Sequence, residues 1–217
     1  MIKRSVHIFT RFERLWHWSQ MSLIMVLLFT GFRIHGFYEL IDFETAVMIH
    51  TYAALILLLI WAFAIFWLFT TGAWKHYLPT RKGLLKVAKY YAFGIFKGER
   101  HPYKKTYTRK HNPLQAISYL VLKIMIFPAI WITGLAYLTY GFWDTSSLAL
   151  EWVAVLHTIS AFAISIFIIV HVYLLSTGGS IKEHIKPMIT GFDDVYLTEE
   201  EVAYLETNEP QNIKPEE

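Results

Sequence analysis

The ten histidines are the residues of this chain best suited to chemistry, since it has no cysteine and its charged groups gather outside its apolar stretches. Neutral imidazole is the commonest protein metal ligand, and it also exchanges protons near neutral pH. Four histidines fall within long apolar runs: His17, His50, His157 and His171. An ionisable group in lipid is costly and needs a partner. One such histidine is explained as readily by a helix–helix hydrogen bond. Four need a shared explanation. The missing cysteines narrow it, because they exclude disulfides, Cys-ligated iron–sulfur clusters and the Cys-x-x-Cys-His attachment of a covalent haem.

The elements that must position these residues are legible from hydropathy. Of 217 residues, 55% are hydrophobic and 17% charged, against about a quarter charged in a soluble domain. Four segments approach the roughly 20 apolar residues that cross a bilayer: about 15–32, 46–70, 113–140 and 150–176. No period-2 alternation suggests a barrel. No small-residue cleavage site follows the first segment, so it reads as a span rather than a signal peptide. The expected fold is all-α, an integral membrane four-helix bundle over 1–190 with an acidic tail over 191–217.

Charge gives the direction. Lys3, Arg4, Arg11 and Arg14 precede the first span, and Lys182 and Lys186 follow the last. Between the second and third spans stand Lys75, Arg81, Lys82, Lys86, Lys89, Lys97, Arg100, Lys104, Lys105, Arg109 and Lys110. The two remaining connections hold one basic residue, Arg33. By the positive-inside rule both termini and the 71–112 stretch are cytoplasmic. The partner of these charges is a lipid bilayer; no nucleic acid is expected. Residues 81–96 place Leu84, Leu85, Ala88, Tyr91 and Ala92 on one helical face. They read as an amphipathic helix on the inner leaflet, or as a basic linker. In the tail, Thr198 and Glu201 form a capping-box pattern, and the remainder reads as disordered or partner-dependent.

Running the spans through the bilayer sorts the histidines by depth. His17 and His171 lie near the inner face, His50 and His157 near the outer. His157 and His171 are separated by fourteen residues, about 1400° of helix, so they face within roughly 40° of each other and stand about 21 Å apart. The depth difference excludes one tetrahedral zinc site. Two depth-matched pairs instead suit two stacked b-type haems, each iron six-coordinate and fit for electron transfer. His35 lies just outside the first span, as a haem contact or a solvated residue. His7, His76, His101, His111 and His184 lie outside the spans.

Other residues have two readings each. Arg11 and Arg14 precede His17, and Arg33 stands on the outer side; all three could serve haem propionates or topology alone. Gly31 and Gly134 could admit a flat macrocycle or a neighbouring helix. Lys123, some ten residues into the third span, could snorkel. Otherwise it needs a partner such as a propionate, a quinone oxygen or water.

Six stretches carry a resemblance: RFERLWHW at 11–18, FTGF at 29–32, MIHTYAAL at 48–55, HNPLQ at 111–115, ITGLAY at 132–137 and LHTISAFAISIFIIVHVY at 156–173. With them the chain resembles the di-haem cytochrome b subunits of nickel–iron hydrogenases, formate dehydrogenases (gamma subunit) and thiosulfate reductases, and the four-helix prokaryotic cytochromes b that act alone. The resemblance implies two haem b groups, His17 with His171 on the inner one and His50 with His157 on the outer. It implies a quinone pocket by the inner haem, with quinone as substrate and Asn112 facing it. Asn112 before Pro113 is also an ordinary helix N-cap.

These features point to an electron-transfer subunit in a bacterial or archaeal inner membrane. It would link the quinone pool to a periplasmic-side oxidoreductase or cytochrome subunit with its own redox centres. The catalytic chemistry would sit in that partner, so no catalytic residue is assigned to this chain. The alternatives are a stand-alone quinone-linked oxidoreductase acting on superoxide or a diffusible acceptor, and a haem-free transporter or scaffold.

Overall fold

A computed structural model describes residues 1–78, 83–99, 102, 112–142, 146–176 and 181–215. Arg81, Lys82, His101 and His111 therefore lie outside the described residues. Four helical spans dominate: α1 (Arg11–Ile34), α2 (Phe43–Thr71), a third built in pieces over Pro113–Leu138, and α6 (Ser147–Leu175). Each is long and apolar enough to cross a membrane. Only 6% to 22% of their most apolar windows is buried. Phe66, Phe69, Ile132 and Ile169 are all more than two-thirds exposed. An apolar surface of that extent is stable only against lipid.

Local chemistry explains the helix ends. Thr10 and Glu13 form a reciprocal capping box at the start of α1, with each side chain accepting from the other's backbone N–H at 3.2 and 2.9 Å. Asp42 caps α2 by accepting from the Thr45 N–H at 2.8 Å. The third span begins as α4 (Pro113–Val121) and ends as α5 (Phe127–Leu138), joined by one π-helical turn over Leu122–Ile126. Pro128 accounts for the turn. Its ring clashes with the carbonyl four residues back, that of Ile124, and it offers no N–H.

The described residues form two compact units. The span unit comprises Trp16–Thr71 and Val121–Val170. Its core draws on all four spans: Leu57, Trp61, Leu122, Phe127 and Ile164 are buried, with Leu23, Ile24, Leu27 and Phe167 packed against them. Trp61 stacks on Phe127 at 4.3 Å between ring centroids and donates to Gln20 Oε1 at 2.7 Å.

The terminal unit comprises Met1–Leu15, Gly72–Leu120 and His171–Glu217. Here β1 (Ile2–His7) pairs antiparallel with β2 (Phe192–Leu197), with Ile2 opposite Leu197 and His7 opposite Phe192. This sheet is the departure from an all-α fold among the described residues. The segment beyond 190, expected as a disordered or partner-dependent tail, is folded and paired with the N-terminus. Val6, Ile8, Val195, Leu197, Leu205 and Ile213 form a second core. Before β2 comes α7 (Ile181–Thr190) and after it α8 (Glu199–Asn208). Gly191 joins α7 to β2 at φ +90°, where a Cβ would also meet His7 Nε2 at 2.7 Å, so only glycine fits. Arg4 pairs with Glu206, and Lys3 with Asp194 at 3.0 Å.

The expected capping box at α8 is present, with Thr198 and Glu201 satisfying each other's backbone N–H. Replacing Thr198 with alanine is expected to cost about 1 kcal/mol. That raises the population of opened module roughly fivefold, to be read as faster protease cleavage within 192–215.

In the 81–96 stretch, α3 (Leu84–Lys89) continues into a π turn over Tyr90–Gly94. Val87, Tyr90 and Gly94 are buried, while Leu85, Phe93 and Phe96 are exposed. Of the face read from the sequence, Leu85 and Ala92 are exposed, and Leu84, Ala88 and Tyr91 are half-buried.

Candidate metal centre

The span unit brings two of the four histidines together. His50 lies on α2 and His157 on α6, and their ring centroids are 6.3 Å apart. Each ring is braced from a neighbouring span. Thr30 of α1 is 1% exposed, and its Oγ1 lies 2.9 Å from His50 Nδ1. Thr133 of α5 is 5% exposed, and its Oγ1 lies 3.0 Å from His157 Nδ1. Both hydroxyls also reach the backbone carbonyl four residues earlier, Val26 at 2.8 Å and Ala129 at 2.7 Å. The residue after each threonine is a glycine. A Cβ at Gly31 would meet His50 Cε1 at 3.5 Å, and one at Gly134 would meet His157 Cε1 at 3.3 Å. The two glycines border the imidazoles themselves. Tyr137 packs edge-on to His157 at 6.2 Å, and His35 Nε2 lies 3.5 Å from the hydroxyl of Thr158.

This donor set fits a haem iron. Among the described residues no group of three or more His, Cys, Asp or Glu could cage a bare ion. Two imidazoles suffice only where a macrocycle supplies the other ligands. Imidazole nitrogens bind first-row metals at about 2.0–2.1 Å, which puts opposed ring centroids roughly 6 Å apart. The observed spacing meets that requirement.

The other expected site residues are distributed as follows. His17 lies in the span unit, edge-on to Trp18 at 5.3 Å. Lys123 sits in the π turn of the third span, and its Nζ lies 5.4 Å from the ring centroid of Trp16. It thus has a cation–π contact with Trp16, the residue preceding His17. His171 lies in the terminal unit, 6.4 Å from the Tyr119 ring. Asn112, 5% exposed, caps α4 by accepting from the Gln115 N–H at 2.8 Å, and its amide donates to Tyr91 Oη at 3.2 Å. Burial raises the Tyr91 pKa above its ordinary value, so this hydroxyl stays protonated at neutral pH.

The three arginines have structural partners or solvent. Arg11 is exposed. Arg14 donates to the Ile189 carbonyl at the end of α7, and Arg33 donates to the Ile41 carbonyl. Sequence reasoning missed Thr30 and Thr133. The available signal was the dipeptide Thr-Gly, which occurs once in the first span and once in the third, each time in the span before a histidine-bearing one.

The fold and the imidazole pair describe a membrane bundle built around a redox cofactor. The chain belongs to the prokaryotic cytochrome b561 family, whose model matches residues 8–191. A relative in Escherichia coli (strain K12), named "Putative cytochrome YdhU", is 30% identical over 193 residues, which is 86% of this chain and 74% of the relative. No solved structure matches the chain significantly. As a member of this family the chain is a multi-pass membrane protein that binds haem b and transfers electrons. Membership sets aside the haem-free transporter or scaffold.

Proposed function

We propose that this chain is a di-haem b subunit carrying electrons between the quinone pool and a redox partner on the periplasmic side of a prokaryotic inner membrane. The observation that carries this reading is the His50–His157 ring pair, 6.3 Å apart and braced on both sides. Bound haem iron would supply reversible one-electron chemistry. The chain's own residues supply the rest. His50 and His157 ligate one haem, and the surrounding apolar spans keep water from it. His17 and His171 ligate the second, a pairing supported by helix direction and by the resemblance in sequence. By the resemblance in sequence Asn112 contacts quinone, and Lys123 is a second candidate for that contact. For Asn112 this role competes with its capping bond. The exposed Leu85, Phe93 and Phe96 rest on the inner leaflet, with Lys86 and Lys89 at the headgroups.

The test is spectroscopic. Membranes containing the protein should show a b-type alpha band in the reduced-minus-oxidised difference spectrum, and the purified chain should carry two haems. Added quinol should reduce both. One haem per chain would sink the di-haem reading. The stand-alone oxidoreductase is the second reading, separated from the first by purification. A subunit bearing its own redox centres should co-purify from native membranes, whereas full activity in the isolated chain would favour the stand-alone form.

A further inference from the structure

We infer that Thr30 and Thr133 are a matched pair of positioning residues that fix the tautomer of the outer haem's two ligands and set its reduction potential. The inference rests on the haem reading of His50 and His157.

A threonine hydroxyl has one proton and two lone pairs. In each case its nearest carbonyl, Val26 for Thr30 and Ala129 for Thr133, stands at 2.8 or 2.7 Å. A carbonyl only accepts, so the hydroxyl proton goes there. A second carbonyl, Leu27 for Thr30 and Ile130 for Thr133, lies 3.2 Å from the same hydroxyl and also bonds the histidine ring. The lone pairs of Oγ1 are left for Nδ1 of the histidine, at 2.9 and 3.0 Å. Nδ1 then carries the imidazole proton and shares it between the hydroxyl oxygen and the neighbouring carbonyl, both of which accept. A neutral imidazole protonated at Nδ1 presents its lone pair at Nε2. Every polar atom in the chain carbonyl–hydroxyl–imidazole is satisfied, which matters in a low-dielectric interior.

The arrangement occurs twice with the same parts. In both copies a threonine on one span is followed by glycine, and the histidine comes from the next span. The glycine leaves room for the ring to lie near the helix that carries its acceptor. Chance placement of one buried threonine beside one histidine is ordinary. Two copies that converge on one ring pair make a device. An acceptor on the non-ligating nitrogen raises ligand basicity and orients the ring. It stabilises the more positive, oxidised metal and so holds the potential down.

The test compares Thr133→Val, which keeps the shape and loses the acceptor, with Thr133→Ser, which keeps the acceptor. Both are made in the full chain in membranes and titrated optically. In Thr133→Val the outer haem's oxidised-to-reduced ratio at fixed potential should fall about tenfold. For one electron that is an upward shift of about 59 mV. Thr30→Val should move the same haem in the same direction, and the double variant should move it further. Thr133→Ser should match wild type. Ser165→Ala, which removes a hydroxyl bonded only to the Ala161 carbonyl at 2.9 Å, should leave both potentials alone. Loss of the outer haem in Thr133→Val with retention in Thr133→Ser would also support the assignment. An unchanged potential in Thr133→Val at wild-type haem content would overturn it and leave the haem reading standing. Equal damage in the valine and serine variants would overturn it too, since the hydroxyl would not be the active part. A wild-type chain with no b-type spectrum would instead sink the haem reading itself.

Discussion

His157→Ala removes the outer haem and leaves the inner one. In the reduced-minus-oxidised spectrum about half of the b-type absorbance should disappear, since on the proposed di-haem reading one of two irons loses an axial ligand. Electron transfer from quinol to an external acceptor should fall by more than a hundredfold. That exceeds the 10–100-fold cost of disturbing a ligand's outer-shell partner, because the wire itself is cut. The physical reason is the geometry of the pair. The His50 and His157 ring centroids are 6.3 Å apart in one compact unit, with their planes 63° apart. His35, a third imidazole of the span unit, has its Nε2 3.5 Å from Thr158 Oγ1. His50→Ala should therefore give the same residual spectrum as His157→Ala. Two variants that strip different spectral components would show that these histidines serve different irons. Haem content and a redox titration of each variant decide the matter.

The second large effect is expected in the terminal unit. Leu197→Ala or Leu205→Ala should release the strand pair while leaving the haem spectrum intact. Leu197 is fully buried and Leu205 is 1% exposed, in a core of six buried apolar residues. Truncating a buried leucine costs about 2–5 kcal/mol. A core this small seldom supplies more than about 3–5 kcal/mol in total. One substitution therefore consumes most of the margin. The check is protease digestion of membrane vesicles opened to the side that carries the module. Cleavage within 192–215 should become rapid in either variant, with the haem difference spectrum as in wild type. Wild-type protection in both variants would show that the module is held by something other than its own core. Loss of haem on the same change would tie the module to the span unit.

Parts of this molecule were legible in the sequence because they depend on composition over long windows. The four spans are of that kind, and the family match over residues 8–191 covers them all. The π turn was less visible. Its cause, Pro128, lies within an otherwise helical apolar run, and length alone gives no sign of an inserted residue. The pairing of β1 with β2 was not legible. Each strand has six residues, and their partners are separated by nearly the whole chain. A short run such as Ile2–His7 carries no periodic signal strong enough to announce a strand. The acidic composition of 191–209 pointed instead toward disorder, although buried Val195 and Leu197 alternate with less buried Asp194 and Tyr196 in β2. At the candidate metal centre the histidines were legible because imidazole in lipid demands an explanation. Their braces were not. Threonine in a helix ordinarily bonds the carbonyl a turn back, and nothing in a linear sequence shows that its other lone pair faces a ring on the next span. Arg14 illustrates the converse. Its charge drew attention as a propionate candidate, while its guanidinium donates to the Ile189 carbonyl.

The two-stranded sheet bears on how the chain is threaded. Antiparallel neighbours that share backbone hydrogen bonds must stand on one side of a bilayer. The path from His7 to Phe192 must then cross the membrane an even number of times. Two, four or six crossings satisfy that parity, and three or five do not. The count of four taken from hydropathy thus meets a constraint that owes nothing to hydropathy. The sheet also fixes an order of events. The first strand leaves the ribosome before these four spans, and its partner is made only after them. A closed sheet is in effect a seal applied late in biogenesis, one that a chain left with an odd number of crossings cannot form.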